Sequence, residues 1–563
     1  MRRTLAFATV SATLFLGTAR AQTDPPPAPP AGAEQAKPAA KPSAPETPPE
    51  SQAFTEASRI MDPATKIEAL EKWKKDYPNA TNLASADEQI LSTLVERLPE
   101  QRDRIRKLAK AIYQGAKSDQ RSGTASTVAN ALMGDKAFLK DAEHYAKVGV
   151  DSLKQPAYLE QQRKQYAARK QKVPGDDVLI KRFGETRANR IATLGEVYFK
   201  MGRTDKAQPL LKEAYGAIPD QMTVAAALGD IAWKSGDERK AQELLVPAVL
   251  SGRPAATAIA RPDLEAIYRK AHGGSPDGFD LMLDSEYHKR FPNPVKVEAY
   301  KPSEKRSDRV VLAEVFTGAG CPPCVGADIA FDAALERYSR KDLAVVMYHV
   351  HVPQPDPMTT AATPDLSKAY LVRGVPTYFI DGKLSAMGGG GRDYANHVYE
   401  RFNPTIEKEL ETPAEARITA TASLEGNLVH VKTAANEVKS ESKDLQVVML
   451  LLEKQIRYTG ENGIRFHPMV VRAVSSEAFA GDSYAQTFNL DEVSASLKKS
   501  LDAYEAGGHR GKVFKFTEKK DHIDHSNLAV AVFLKDAKTQ HVLQAAYIDL
   551  STTPVERKVT ETR

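Results

Sequence analysis

Apolar residues recur at helical spacing through the first half of the chain, then give way to short continuous runs and alternation. Ile67, Leu70, Trp73 and Tyr77, followed by Ile90, Leu94, Leu98, Ile105, Leu108 and Ile112, fall on successive helical turns. That spacing predicts a helical array from about residue 54 to 290. Residues 310–316 and 343–350 are apolar runs of strand length, and a helix is predicted between them as far as Tyr338. Tyr378, Phe379 and Ile380 read as a further strand ending in Asp381-Gly382, a hairpin signal, and a helix follows over about 394–410. After Pro413 the pattern is of strands, at 418–424, 428–433, 445–453, 528–534 and 541–550. Their spacing suggests an antiparallel β-sandwich.

The two ends do not fit this pattern. Met1-Arg2-Arg3 precedes an apolar run from Leu5 to Leu16 and the small-residue sequence Ala19-Arg20-Ala21. This reads as a signal peptide over 1–21, too short in its apolar part to span a membrane; an uncleaved anchor is the alternative. Export to the periplasm or outside the cell is expected, with no stable membrane insertion after cleavage. Residues 22–53 are rich in Pro and Ala and read as a semi-rigid linker, or less simply as a ligand for proline-binding domains. The remaining length suggests three or more domains, which we place at 54–300 (helical), 301–410 (α/β) and 411–556 (β-sandwich). The net charge of +5 over 563 residues is small and gives no case for nucleic acid as a partner.

Within the helical segment, residues 34 apart match: Leu194 with Leu228, Gly195 with Gly229, Gly202 with Gly236, Ala207 with Ala241, Leu211 with Leu245. The period and the small residues, clearest over 188–253, resemble tetratricopeptide repeats. The resemblance implies a groove for a protein partner; packing of these helices against the rest of the chain is the other reading.

Candidate chemistry rests on the two cysteines, Cys321 and Cys324, separated by Pro322 and Pro323. A C-x-x-C pair after a strand and at a helix start suits thiol–disulfide exchange. Unpaired N–H groups and the positive end of the helix dipole stabilise a thiolate and bring such cysteines to a pKa of roughly 3.5–7.5. Cys321 is the candidate nucleophile and Cys324 the resolving thiol. A zinc site would need ligands from a second Cys or His pair, and the chain has no further cysteine. A structural disulfide closing so short a loop would stabilise little.

The order of elements over 301–410 resembles the thioredoxin fold, with Gly374-Val375-Pro376-Thr377 matching the family's cis-proline loop. The resemblance implies that Pro376 lies beside the cysteines and that Val375, Pro376, Pro322 and Pro323 form the substrate-binding surface. Phe316-Thr317-Gly318, together with 445–453, Asn462-Gly463, His467 and 470–473, is similar to a group of exported bacterial thioredoxin-fold proteins. Two departures stand out: Gly320 replaces the family's Trp, and Val315 its buried acid. Glu314 should face the other side of the strand, which leaves the proton acceptor for Cys324 unassigned. Pro322 also removes an N–H that would favour the thiolate.

His349 and His351, two apart on a strand, could join the cysteines in a copper site, or simply pack and hydrogen-bond at the strand end. His522 and His525 around Asp521 and Asp524 read as a polar loop, with a metal cluster as the alternative. The run 388–391 reads as a flexible glycine turn. The expectation as a whole is a multidomain α+β protein: a helical repeat array, a thioredoxin-like α/β domain and a β-sandwich. It is expected to act as a thiol-disulfide oxidoreductase on protein substrates or a redox partner, without cofactor or metal. A redox-regulated adaptor, or less readily a copper-handling protein, are the alternatives.

Overall fold

The computed structural model describes residues 48–550; the expected signal peptide, most of the linker and the last residues of the expected sandwich lie outside them. The protein is mixed α/β, with seventeen α-helices and eleven strands among the described residues. It divides into two compact units, Met1–Leu210 and Leu211–Arg563.

The first unit is helical: α1 (Pro49–Arg59), α2 (Pro63–Asp76), α3 (Leu83–Arg97), α4 (Arg102–Gly115), α5 (Arg121–Leu132), α6 (Leu139–Asp151), α7 (Gln155–Ala168) and α8 (Asp176–Lys200). Periodic apolar positions supply its core, with Ile67, Leu70, Ile90, Leu94 and Ile105 at most 1% exposed. Asp62 caps α2 by accepting from the Thr65 N–H at 2.8 Å, which satisfies one of the donors a helix start leaves open. Helix α9 (Thr204–Ala217) spans the division.

The second unit begins with α10 (Met222–Lys234), α11 (Glu238–Leu250), α12 (Pro254–Ala271) and α13 (Phe279–Arg290). Gly229 shows why the repeat needs small residues: a Cβ there would lie 2.5 Å from Leu245 Cδ2 on the facing helix. The division falls inside the expected 54–300 domain because these later helices are tied to segments beyond residue 300. Arg465 Nε donates to Asp284 Oδ1 at 2.7 Å, and Asn293 Nδ2 to the Ile329 carbonyl at 3.1 Å.

Between α10 and α12, Asp263 is set near Asp230, and its Oδ2 is buried without a partner. Burial, then the Asp230 charge, pushes the Asp263 carboxyl up to about 6. An acid whose pKa is raised by folding stabilises the fold below its unfolded value and loses that contribution as pH climbs to the folded one. Asp263→Asn is therefore expected to raise stability at pH 7 by about 1 kcal/mol, discounted for partial exposure. It should also flatten the decline between about pH 4 and 6, as urea unfolding at several pH values will show.

Strands β1 (Val311–Thr317), β2 (Leu343–His349), β3 (Thr377–Ile380) and β4 (Lys383–Met387) alternate along the chain with helices α14 (Cys324–Arg337), α15 (Thr363–Ala369) and α16 (Ala395–Leu410). β1 and β2 are parallel, Val311 opposite Leu343 through Thr317 opposite His349. Every residue of both is buried, as in strands covered on both faces. The β3–β4 hairpin turns at Asp381 and Gly382, with φ of 47° and 76°, the left-handed pair of a tight turn. Pro322 and Pro323 precede α14, where a missing N–H costs nothing. Ala327, Ala330, Phe331 and Ala334 then form its sheet-facing stripe.

The remaining strands are β5 (Arg417–Glu425), β6 (Leu428–Asn436), β7 (Leu445–Arg457), β8 (Phe466–Ala478), β9 (Ser483–Asn489), β10 (Leu528–Asp536) and β11 (Val542–Leu550), with α17 (Leu490–Gly507) before β10. They are divided between two sheets. One eight-stranded sheet runs in the order β11-β10-β7-β8-β2-β1-β3-β4, and β5-β6-β9 form a second. The joint is β8 beside β2, Met347 opposite Val470. The boundary expected at residue 411 is thus crossed by the main sheet, which gives the β2 edge a partner.

The sheet also curls. Leu312, Phe316, Ala344 and Val346 share a core with Val448, Leu450, Ala531 and Phe533, although their strands stand far apart in the order. The opposite face of β7 and β10, through Val447, Met449, Val530 and Val532, packs on β5, β6, β9 and α17.

Candidate functional site

β1 delivers the chain at Thr317 into a turn closed by the Cys321 N–H donating to the Gly318 carbonyl at 3.0 Å. Cys321 and Cys324 are joined by a disulfide at the start of α14. Both are buried, at 1% and 0% exposure, whereas Pro322 and Pro323 between them are exposed. The carbonyl oxygen of Val375 lies 3.7 Å from Cys321 Sγ, and the Val375–Pro376 peptide is cis. The residues expected at the site are therefore together: Val375 half-buried, Pro376 buried, the two prolines forming the lip.

The glycine run is pinned rather than free. Gly388 N–H donates to the Pro376 carbonyl, Gly390 N–H to the Pro323 carbonyl, and Gly326 N–H to the Gly390 carbonyl, each at 2.8 Å. A Cβ on Gly389 would lie 2.3 Å from the Pro323 oxygen, so only glycine lets this strap lie against the disulfide turn. The strap also changes the electrostatic expectation, since it takes the Gly326 N–H at the head of α14. On the other side, Asn462 N–H donates to the Ala319 carbonyl at 3.0 Å, and its side-chain amide reaches the Gly318 and Cys321 carbonyls at 3.3 and 3.4 Å.

Beneath the turn is a buried polar group that sequence reading left unassembled. Thr317 Oγ1 donates to Asp328 Oδ1 at 2.7 Å. Asp356 Oδ2 accepts from the Ala319 N–H at 2.6 Å and lies 2.9 Å from His349 Nδ1, while its Oδ1 accepts from the Met358 N–H at 2.8 Å. Burial opposes ionisation of Asp356, but His349 and these N–H groups outweigh it and hold the carboxyl down at about 2. Asp328 is the reverse case. Burial, reinforced by the Asp356 charge, overcomes the Thr317 bond and His349 and pushes its carboxyl up to about 7. Its Oδ2 is buried with no partner.

Asp328 stands four residues after Cys324, one turn along α14 and on the same face. An aspartate at that spacing, within the apolar first two turns of the helix, was the available signal. Glu314 lies on the opposite face of β1, as expected: it shares its surroundings with the Leu312 and Phe316 core and accepts from Tyr370 at 2.7 Å and Tyr348 at 3.2 Å. Burial raises its carboxyl.

The histidines are not gathered around the cysteines. His349 is engaged by Asp356, and His351 stacks on Tyr504 at 3.6 Å while its Nδ1 accepts from the Asp356 N–H. Burial lowers His351 to about 4 and His467, whose Nε2 donates to the Tyr458 carbonyl, to about 3. Asp524 caps the short turn His525–Asn527 through the Ser526 N–H. Among the described residues no group of three or more His, Cys, Asp or Glu is placed to hold a metal ion.

No family model matches the sequence, and no curated protein matches it. Among solved structures, the chain is similar to "HBP35 of Porphyromonas gingivalis", at 14% identity over 46% of this chain and 82% of that one, with a TM-score of 0.30. A superposition that loose assigns no fold.

Proposed function

We propose that this chain is an exported thiol–disulfide oxidoreductase with a thioredoxin-like centre, exchanging disulfides with protein partners through Cys321 and Cys324. In this reading the helices are a repeat-type arm, and strands β7, β8, β10 and β11 extend the redox centre's sheet. The observation that carries it is the Cys321–Cys324 disulfide at the head of α14, with the Val375 carbonyl 3.7 Å from Cys321 Sγ.

From the oxidised state, a partner thiolate attacks Cys321 Sγ, a new S–S bond forms to the partner, and Cys324 leaves as thiolate. Cys324 is sealed from solvent, so its proton must come from the protein. Asp328, whose carboxyl is raised to about 7 and so is protonated in about half of the molecules at pH 7, gives it. A second partner thiolate then attacks the partner sulfur and expels Cys321, leaving the partner oxidised and the pair reduced by two electrons. The reverse sequence reduces a partner disulfide, with Asp328 receiving the proton as Cys324 attacks.

The test is reversible titration of the pair against defined thiol–disulfide buffers. Two thiols per chain should appear on reduction and disappear on oxidation, with a single potential. A value near about −270 mV identifies a reductant and one near about −120 mV an oxidant. A pair that cannot be reduced in the folded protein, or that does not exchange with a model disulfide, removes the reading. The near-complete burial of both cysteines favours one second reading, an adaptor whose partner binding depends on the pair's redox state. Partner capture by the unsubstituted chain in one redox state only, with Cys321→Ser/Cys324→Ser behaving as the reduced chain does, would select it.

A further inference from the structure

The tip of the β7–β8 hairpin has no part in the exchange steps, yet it lies against the turn that carries Cys321. Beyond the last paired residues, Arg457 and Phe466, the chain closes on itself. Tyr458 N–H donates to the Arg465 carbonyl at 2.9 Å, and Gly460 N–H to the Ile464 carbonyl and Gly463 N–H to the Gly460 carbonyl, each at 2.8 Å. A Cβ on Gly460 would lie 2.2 Å from the Ala319 oxygen, so glycine there lets the two backbones meet.

The other side of the tip is braced by helices. Arg465, 3% exposed, donates from Nε to Asp284 Oδ1 on α13 at 2.7 Å and to Thr459 Oγ1 at 2.8 Å. Arg457 pairs with Asp284 Oδ2 at 3.2 Å, and a Cβ on Gly252, between α11 and α12, would meet the Gly460 oxygen at 1.9 Å. The tip is thus held from behind and does not simply follow the cysteine turn.

Asn462 is the side chain that crosses the contact. Its Oδ1 accepts from the Ile464 N–H at 3.0 Å, which fixes the direction of the amide and leaves Nδ2 to donate to the Gly318 and Cys321 carbonyls at 3.3 and 3.4 Å. All three partners are backbone groups of fixed polarity, so only this orientation satisfies them. The same two carbonyls close the cysteine turn: that of Gly318 accepts from the Cys321 N–H at 3.0 Å, and that of Cys321 from the Cys324 N–H at 3.1 Å.

We propose that Asn462 is a positioning residue for the cysteine pair, clamping the turn over 318–324 so that the disulfide is favoured over the dithiol. The proposal rests on the reading of the pair as an exchange centre. Reduction breaks the S–S bond as a partner dithiol supplies two electrons and two protons, and the freed turn can then relax. A turn held at both carbonyls relaxes less, so its thiols stay placed to close again. By linkage, whatever the clamp adds to the disulfide, the disulfide adds to the clamp.

The test is redox titration of the full chain against thiol–disulfide buffers. Asn462→Ala removes the amide but keeps the 462 N–H that donates to the Ala319 carbonyl. It should shift the equilibrium toward the dithiol about tenfold, roughly the worth of its weak hydrogen bonds, which moves the potential by about 30 mV to less negative values. Asn462→Leu, which refills the space without a donor, should do the same. A role in packing alone would weaken the oxidised and reduced folds alike and leave the potential where it was. In the unsubstituted chain, reduction should speed amide hydrogen exchange over 459–464 by about tenfold, a measurement that needs no variant to fold. An unchanged potential in either variant, a shift to more negative values, or exchange indifferent to reduction would overturn the proposal. An unsubstituted pair that cannot be reduced removes the exchange reading and this proposal with it, whereas a pair that titrates normally and ignores Asn462 overturns this proposal alone.

Discussion

Cys324→Ser is expected to accumulate a covalent complex with partner proteins, while Cys321→Ser accumulates none, and each lowers turnover on the order of 1000-fold or more. The asymmetry follows from position. Cys321 Sγ lies at the Val375 carbonyl behind the exposed Pro322–Pro323 lip, whereas Cys324 is the first residue of α14, and both are buried. A partner sulfur arriving over the lip reaches Cys321 first, and the bond it forms can be resolved only from within. Non-reducing electrophoresis and mass spectrometry of the two variants read this directly. Equal trapping by both would reverse or abolish the assigned roles.

Asp328→Asn is expected to slow resolution of the mixed disulfide on the order of 100-fold at pH 7. The same change should remove the inflection near pH 7 from the rate profile, because an amide cannot exchange the proton. Thr317, His349 and Asp356 face Asp328 from the strand and loop beside it, and Asp332 follows on the next turn of α14. The profile should therefore be read against Asp332→Asn, which ought to keep the inflection. Stability gives a second, independent signal. The Asp328 carboxyl is raised in the fold from 3.8 to about 7. Its neutral form thus favours folding below pH 4, and that contribution drains away up to about pH 7. Asp328→Asn should be the more stable protein at pH 8, by up to about 4 kcal/mol at 1.4 kcal/mol per unit, less whatever relaxation recovers. A variant with unchanged kinetics and this stability gain would mark Asp328 as a buried burden with no part in exchange.

What the sequence disclosed was local. The runs that became β1, β2, β7 and β10, the α14 stripe and the Asp381–Gly382 turn all declare themselves within a few residues. What it withheld depends on pieces brought from afar. Met347 opposite Val470 is a pairing over more than a hundred residues, and nothing in either segment announces it. The run 388–391 read as a loose turn because glycine permits looseness. Here its absent side chains instead serve close approach to Pro323 and Pro376. α17 was in principle readable: Asn489 caps it with Asp491 and Glu492 in the first turn, and Leu490, Val493, Leu497 and Leu501 follow at helical spacing. Asp328 had the right spacing, but a carboxyl's proton affinity is set by burial, which spacing alone does not reveal.

The joint between β2 and β8 bears on how such a centre can be inherited. A gene segment ending near Leu410 would encode β1 to β4 and helices α14 to α16. It would still leave the Met347 edge open and Leu312, Phe316 and Val346 without the β7 and β10 side chains they pack on. The cysteine pair is consequently no cassette that recombination could lift out and splice elsewhere. It and the C-terminal strands must be passed on, and altered, together.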